Sequence, residues 1–183
     1  MRTHRVLFTL LLLTAPSALA REPFPDATTH EIQAILLNAH NGYRSRHDAP
    51  RLEVDPALVA FAKGRAREVS TSEGLGEAHR GLVHGYGENL YWAGSSTKAE
   101  AAAIAAAAVK AWYDEMKLYD FKNGSSSKAT GHFTQLVWKG TTKVGCAVAQ
   151  GKGSRLYETY VVCNYQAPGN MMGDFQKNVS PKR

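Results

Sequence analysis

Cysteine is scarce in this 183-residue chain: Cys146 and Cys163 are the only two. That excludes a framework of several bridges and allows a single intramolecular pairing in an oxidising compartment. Long hydrophobic runs are missing too. The longest, VLFTLLLL near the start, is too short for a comfortable membrane span, and no other segment approaches the required length. Charge of one sign is not concentrated anywhere. The formal net charge is +6, the basic residues are dispersed, and nucleic acid is not indicated as a partner. No HExxH helix and no G-x-S-x-G elbow occurs, so the usual zinc-protease and serine-hydrolase arrangements are absent. No repeat, long linker or low-complexity tail divides the chain.

What is present begins with a leader. MRTHR is a basic start, VLFTLLLL an apolar core, and APSALA a small-residue exit with Ala18 and Ala20 at the gate positions. Residues 1–20 are therefore expected to be a secretory signal peptide and 21–183 a single domain of a secreted, extracellular protein. Losing Arg2 and Arg5 takes the net charge from +6 to near +4. The remaining length suffices for one core burying roughly 70% of the extended surface. Asn123-Gly-Ser and Asn178-Val-Ser are glycosylation sequons, usable only in a eukaryotic secretory path.

Residues 28–46 carry Ile32, Ile35, Leu36, Ala39 and Tyr43 at helical spacing, with Thr28 or Thr29 as cap. Asp55-Pro56 opens a second helix with the stripe Leu58, Ala62, Ala66 and Val69. GLVHGYGENLYWAG is dense in glycine and reads as irregular. A third helix is expected over 98–118, with Ile104, Ala108, Ala111, Trp112 and Glu115 on one face. VGCAVAQ and LYETYVVCNY read as strands. Helices first and clear strands last favour an α+β or three-layer sandwich over regular βαβ units. If GKGS (151–154) were the turn between those strands, Cys146 would face Thr159, so a bridge to Cys163 would need a bulge or another strand.

Several polar residues interrupt the apolar pattern. Glu115 shares a face with alanines and Trp112, so it is paired, metal-bound, facing a cavity, or at the stripe's edge in water. Glu88, in YGENL, can accept backbone N–H bonds or pair with a histidine. His132, in GHFTQLVWK, is a candidate site residue or a satisfied structural histidine. Asn164 and Asn170 read as turn and capping residues. His30, His40 and His47 have no carboxylate at telling spacing and read as structural or solvent-facing. Two histidines and two glutamates could form a mixed N/O site for zinc or another borderline metal.

Six stretches, in order, resemble the CAP superfamily of cysteine-rich secretory proteins, antigen 5 and pathogenesis-related group 1 proteins. They are AHNGYR (39–44), PALVAFAKGRA (56–66), HGYGENLYW (84–92), AWYDEMKLYDF (111–121), GHFTQLVWK (131–139) and YVVCNYQAPGN (160–170). The resemblance implies a three-layer α–β–α sandwich with a central cleft holding two histidines and two acidic residues. By motif these are His132, Glu88 and Glu115, with His79, nine residues before Glu88, preferred to His84, four before it. Cys146 and Cys163 match cysteines of the family pattern, which supports a disulfide. The cysteine-rich C-terminal module of some animal members has no counterpart, so channel blockade by such a module is not implied.

The family carries no generally accepted reaction, and a fold does not fix an activity. The expected function is that of a secreted, non-enzymatic binding protein for sterols, fatty acids or similar lipids, in defence or host interaction. No cofactor is required, and Zn2+ or another divalent metal could sit at His79, Glu88, Glu115 and His132. A metal-dependent hydrolase or protease using that cleft and a secreted ligand for a protein receptor are the alternatives, and a membrane surface or a protein receptor are further expected partners.

Overall fold

The computed structural model describes residues 21–76, 79–82, 85–124 and 127–183, so the expected leader and His84 lie outside the described residues. Thr29, rather than Thr28, caps helix α1 (His30–Arg44) by accepting from the Ile32 N–H. Thr28 is used elsewhere, its hydroxyl accepting from the Val148 N–H at 2.9 Å. Asp55 caps helix α2 (Pro56–Val69) through the Ala57 and Leu58 N–H groups, and Pro56 occupies the first turn where its missing N–H costs nothing. Between them lies a short strand, β1 (Glu53–Val54).

Within the glycine-dense segment expected to be irregular, the described residues before Gly87 are turn or irregular, but from Gly87 on it is strand β2 (Gly87–Ser95), paired over its whole length. Its glycines serve close approach: a Cβ on Gly87 would lie 2.0 Å from the Gln135 side chain, and one on Gly94 would lie 2.8 Å from the Trp92 ring. Helix α3 (Ala101–Asp114) is shorter than the expected 98–118, because residues Glu115–Leu118 tighten into a 3-10 turn. Its buried stripe is Ala105, Ala108, Val109, Trp112 and Tyr113. Ile104 is half-buried and Ala111 exposed, which corrects the expected face. Helix α4 (Gly131–Val137) precedes strands β3 (Lys143–Lys152) and β4 (Tyr157–Gln166), and a last turn, α5 (Phe175–Asn178), follows.

The sheet order is β1-β3-β4-β2, with β1 parallel to β3 and the other pairs antiparallel. Both central strands are apolar on both sides, and alternation sorts their residues. Val144, Cys146, Val148, Val161, Cys163 and Tyr165 pack with Leu36, Val109, Trp112 and Phe133 of α1, α3 and α4. Ala147, Ala149, Tyr160 and Val162 pack with Ala62 and Ala66 of α2. The result is the expected α–β–α sandwich.

Cys146 and Cys163 are joined and lie directly opposite each other in an unbroken ladder. The expected obstacle disappears because the turn is two residues later than GKGS. Lys152 pairs with Tyr157, leaving Gly153–Leu156 as the connection. No bulge is needed.

Candidate functional site

Glu115 sits where α3 gives way to its 3-10 turn, and this change of winding brings its carboxylate to the start of α4. Oε2 accepts the backbone N–H groups of His132 at 3.0 Å and Phe133 at 3.1 Å. Oε1 lies 2.6 Å from His132 Nδ1. The carboxylate thus satisfies two helix N–H groups without intrahelical partners and orients the ring that follows. With Nδ1–H donating to a carboxylate, His132 Nε2 remains on the far side of the ring as an acceptor. Trp112 lies beside that ring, 6.3 Å between centroids and nearly parallel, and Asn89 donates to the His132 carbonyl at 3.0 Å.

Glu88, on β2, is built differently. Its side chain is wholly buried, and Arg65 of α2 meets it with two parallel bonds: Nε to Oε2 at 2.9 Å and Nη2 to Oε1 at 3.0 Å. Asn164 of β4 donates to Oε2 at 3.0 Å, and His79 Nδ1 lies 3.1 Å from Oε1. Burial pushes the Glu88 carboxyl up, but hydrogen bonds from His79, Arg65 and Asn164 outweigh it and hold it below its ordinary range. An ionised Glu88 requires His79 to carry its proton on Nδ1, so this ring also points Nε2 away from the carboxylate.

The four expected residues therefore form two histidine–carboxylate pairs. Four donors converge on Glu88, which uses all its lone pairs, and three on Glu115, which leaves one. Among the described residues no group of three or more His, Cys, Asp and Glu side chains is placed to hold a metal ion. The nitrogen donors left available are the two Nε2 atoms, with the carboxylates acting through the rings.

A groove of about 340 Å³ runs along the Glu115–His132 pair. Leu75, Leu90, Tyr91, Trp92, Ala111 and Trp112 supply its apolar lining, and Glu115 and His132 its polar lining. Ala111, exposed on α3, is small where the helix passes the groove, and Trp112 is fixed by its indole N–H on the Leu90 carbonyl at 3.0 Å. Trp92 is fixed by its indole N–H on Glu158 Oε2 at 2.9 Å.

The remaining candidates divide cleanly. His40 is buried, with Nδ1 on the Leu36 carbonyl and Nε2 on the Tyr165 hydroxyl. His47 is buried between the Ser180 carbonyl and the Tyr113 hydroxyl, whereas His30 is exposed. Asn170, at φ 60°, ties its loop to α4 through the Thr134 hydroxyl and the Gly131 carbonyl. Asn178 is buried with its amide spent on Gly140 and Asp174, so that sequon is inaccessible in the folded chain. Asn123 is exposed. Sequence reasoning missed Arg65, yet a signal existed: an arginine three residues after Ala62 falls on the buried stripe of α2.

A family model described as the cysteine-rich secretory protein family matches residues 37–165. Protein PRY2 of Saccharomyces cerevisiae is 36% identical over 152 residues, 82% of this chain and 42% of its own. Secreted protein RBT4 of Candida albicans is 41% identical over 140 residues, 75% of this chain and 35% of its own. This chain therefore spans less than half the length of these two fungal relatives. The structure of BmVAL-1 shares the fold, with a TM-score of 0.66 at 21% identity, covering 85% of each chain.

Proposed function

The chain belongs to the CAP family of cysteine-rich secretory proteins, and on that premise we propose that it is a secreted binding protein for a small, mainly apolar ligand. Non-enzymatic capture is the reading best supported by the largely apolar groove that Glu115 and His132 also line. Its volume of about 340 Å³ is near the lower end of small-molecule sites, so a sterol-sized ligand would bind with one end protruding.

The polar part of the lining refines the ligand class. His132 Nε2 offers an acceptor, and Glu115, bonded to Nδ1 of the same ring, adds its carboxylate charge to the lining. That pairing suits a neutral hydroxyl, which can donate to Nε2, better than a fatty-acid carboxylate, which would meet like charge. A sterol or other long-chain alcohol is accordingly favoured over a fatty acid. For a divalent cation such as Zn2+, the imidazole Nε2 atoms of His79 and His132 are the nitrogen donors that would hold it, and it would supply Lewis-acid chemistry when bound. The hydrolase alternative gains nothing from the geometry, because both carboxylates are committed to protein donors.

Ala111→Trp tests the groove, since it adds an indole where α3 passes closest. A fluorescent sterol should bind the natural chain with energy transfer from its tryptophans, and Ala111→Trp should abolish that binding while the fold survives. Undiminished sterol binding by the folded variant would remove the groove from the function.

A further inference from the structure

The two histidine–carboxylate pairs are held by different means. Glu115 is gripped by backbone N–H groups of α4, which no side-chain substitution removes. Glu88 is gripped by a side chain, and that side chain reaches further than the carboxylate. Arg65 Nη1 donates to the Arg80 carbonyl at 2.8 Å and to Glu68 Oε2 at 2.6 Å, while Nε and Nη2 fork onto Glu88. One guanidinium thus binds both the carboxylate that orients the His79 ring and the backbone next to His79.

Among its described residues, the segment between α2 and β2 forms turns and bends rather than helix or strand. It closes over Arg65 at Gly81, where φ is +82° and a Cβ would lie 3.1 Å from Glu68 Oε1 and 3.4 Å from Arg65 Nη1. Glycine suits both the left-handed backbone and the crowding. The His79 side chain is about half exposed, so packing does little to set its rotamer and its hydrogen bond to Glu88 does most. The Arg65 side chain is only 3% exposed and Glu88 wholly buried, so the pair is desolvated and the planar fork is its geometry of choice.

We infer that Arg65 is the positioning residue of the His79 half of the site, acting through Glu88 and through the Arg80 carbonyl. It fixes where the His79 ring stands and which nitrogen carries the proton. The His132 half is independent of it. The site is therefore built as one half fixed by backbone and one half set by a single buried arginine. This does not depend on which ligand occupies the groove.

The test is nitrogen NMR of the histidine rings in the full chain, read at mildly alkaline pH as the ratio of Nδ1–H to Nε2–H tautomer. The natural chain should show His79 and His132 both as Nδ1–H. In Arg65→Gln the His79 ratio should fall several-fold toward the Nε2–H form that free imidazole favours, with His132 unchanged. Arg65→Lys keeps a buried cation without the fork and should lie between them. A folded Arg65→Gln with an unmoved His79 overturns the inference, as does an equal change at His132. Should Arg65→Gln fail to fold, Arg65→Lys decides: a natural His79 ratio there overturns it equally.

Discussion

At the scale of single residues, the histidines show how burial sorts one residue type into different roles. His40 lies in the core between Leu36 and Tyr165, and burial pushes its pKa from 6.5 down to about 4, with the Arg44 charge adding to the effect. The unfolded chain takes up this proton near 6.5 and the folded chain does not. The contribution of the neutral ring is therefore whole above about pH 6.5 and is lost as pH falls toward 4, a difference of about 3 kcal/mol. Glu158 acts in a lower window. Burial pushes it up, but bonds from Arg21, Tyr160 and Trp92 prevail and hold it at about 2, so its contribution is lost between about 4.5 and 2. Urea denaturation at pH 7 and pH 4.5 should show stability falling with acid, and His40→Gln should flatten that fall. Equal slopes in both chains would refute the assignment to His40.

Among elements, the closest approach decides what can change. α2 crosses β3 at Gly145, where a Cβ would stand 2.2 Å from the Leu58 carbonyl carbon and from the Val59 nitrogen. These are backbone atoms of a capped helix, so neither neighbour can turn aside. Gly145→Ala should cost about 2–3 kcal/mol by forcing α2 from the sheet, visible as a lowered denaturant midpoint. A midpoint unchanged from the natural chain would show that the two elements have room to spare. The same local packing explains two sequence expectations that failed. Glycines in GENLYWAG looked like loop residues, but a nine-residue ladder with β4 outweighs their weak strand preference. A turn at GKGS would set Cys146 against Thr159, but the ladder runs two residues further and pairs the cysteines.

On the scale of the whole molecule, the segment beginning at Arg21 ties the layers together. Its guanidinium forks onto Glu158 at 2.7 and 2.9 Å and donates to Tyr160 and to the Ser70 and Ser72 carbonyls. Phe24 is buried against Tyr160, and Asp26 bridges to Ala149 of β3. Because Glu158 also holds the Trp92 indole, the anchor reaches one wall of the groove. Arg21→Ala should strand a buried carboxylate and cost about 3 kcal/mol. Its tryptophan emission should shift to the red as Trp92 loosens. Stability lost with no change in emission would separate the anchor from the groove.

The sequence by itself determined the second helix's start at Asp55, the first helix's start to within Thr28 or Thr29, the strand character of the cysteine-bearing segments, and the ordered motifs that place the chain in its family. These are legible because caps and alternation act between residues a few positions apart. Tertiary structure alone decided which polar residues meet. His79 with Glu88 and His132 with Glu115 pair across 9 and 17 positions, while Arg65 reaches 23 positions to Glu88. It also decided that Ala111 faces a groove rather than the core, because the partners of α3 set the rotation of its stripe. No local periodicity encodes such choices. They follow from which surfaces the sandwich brings within hydrogen-bonding distance once its two cores are filled.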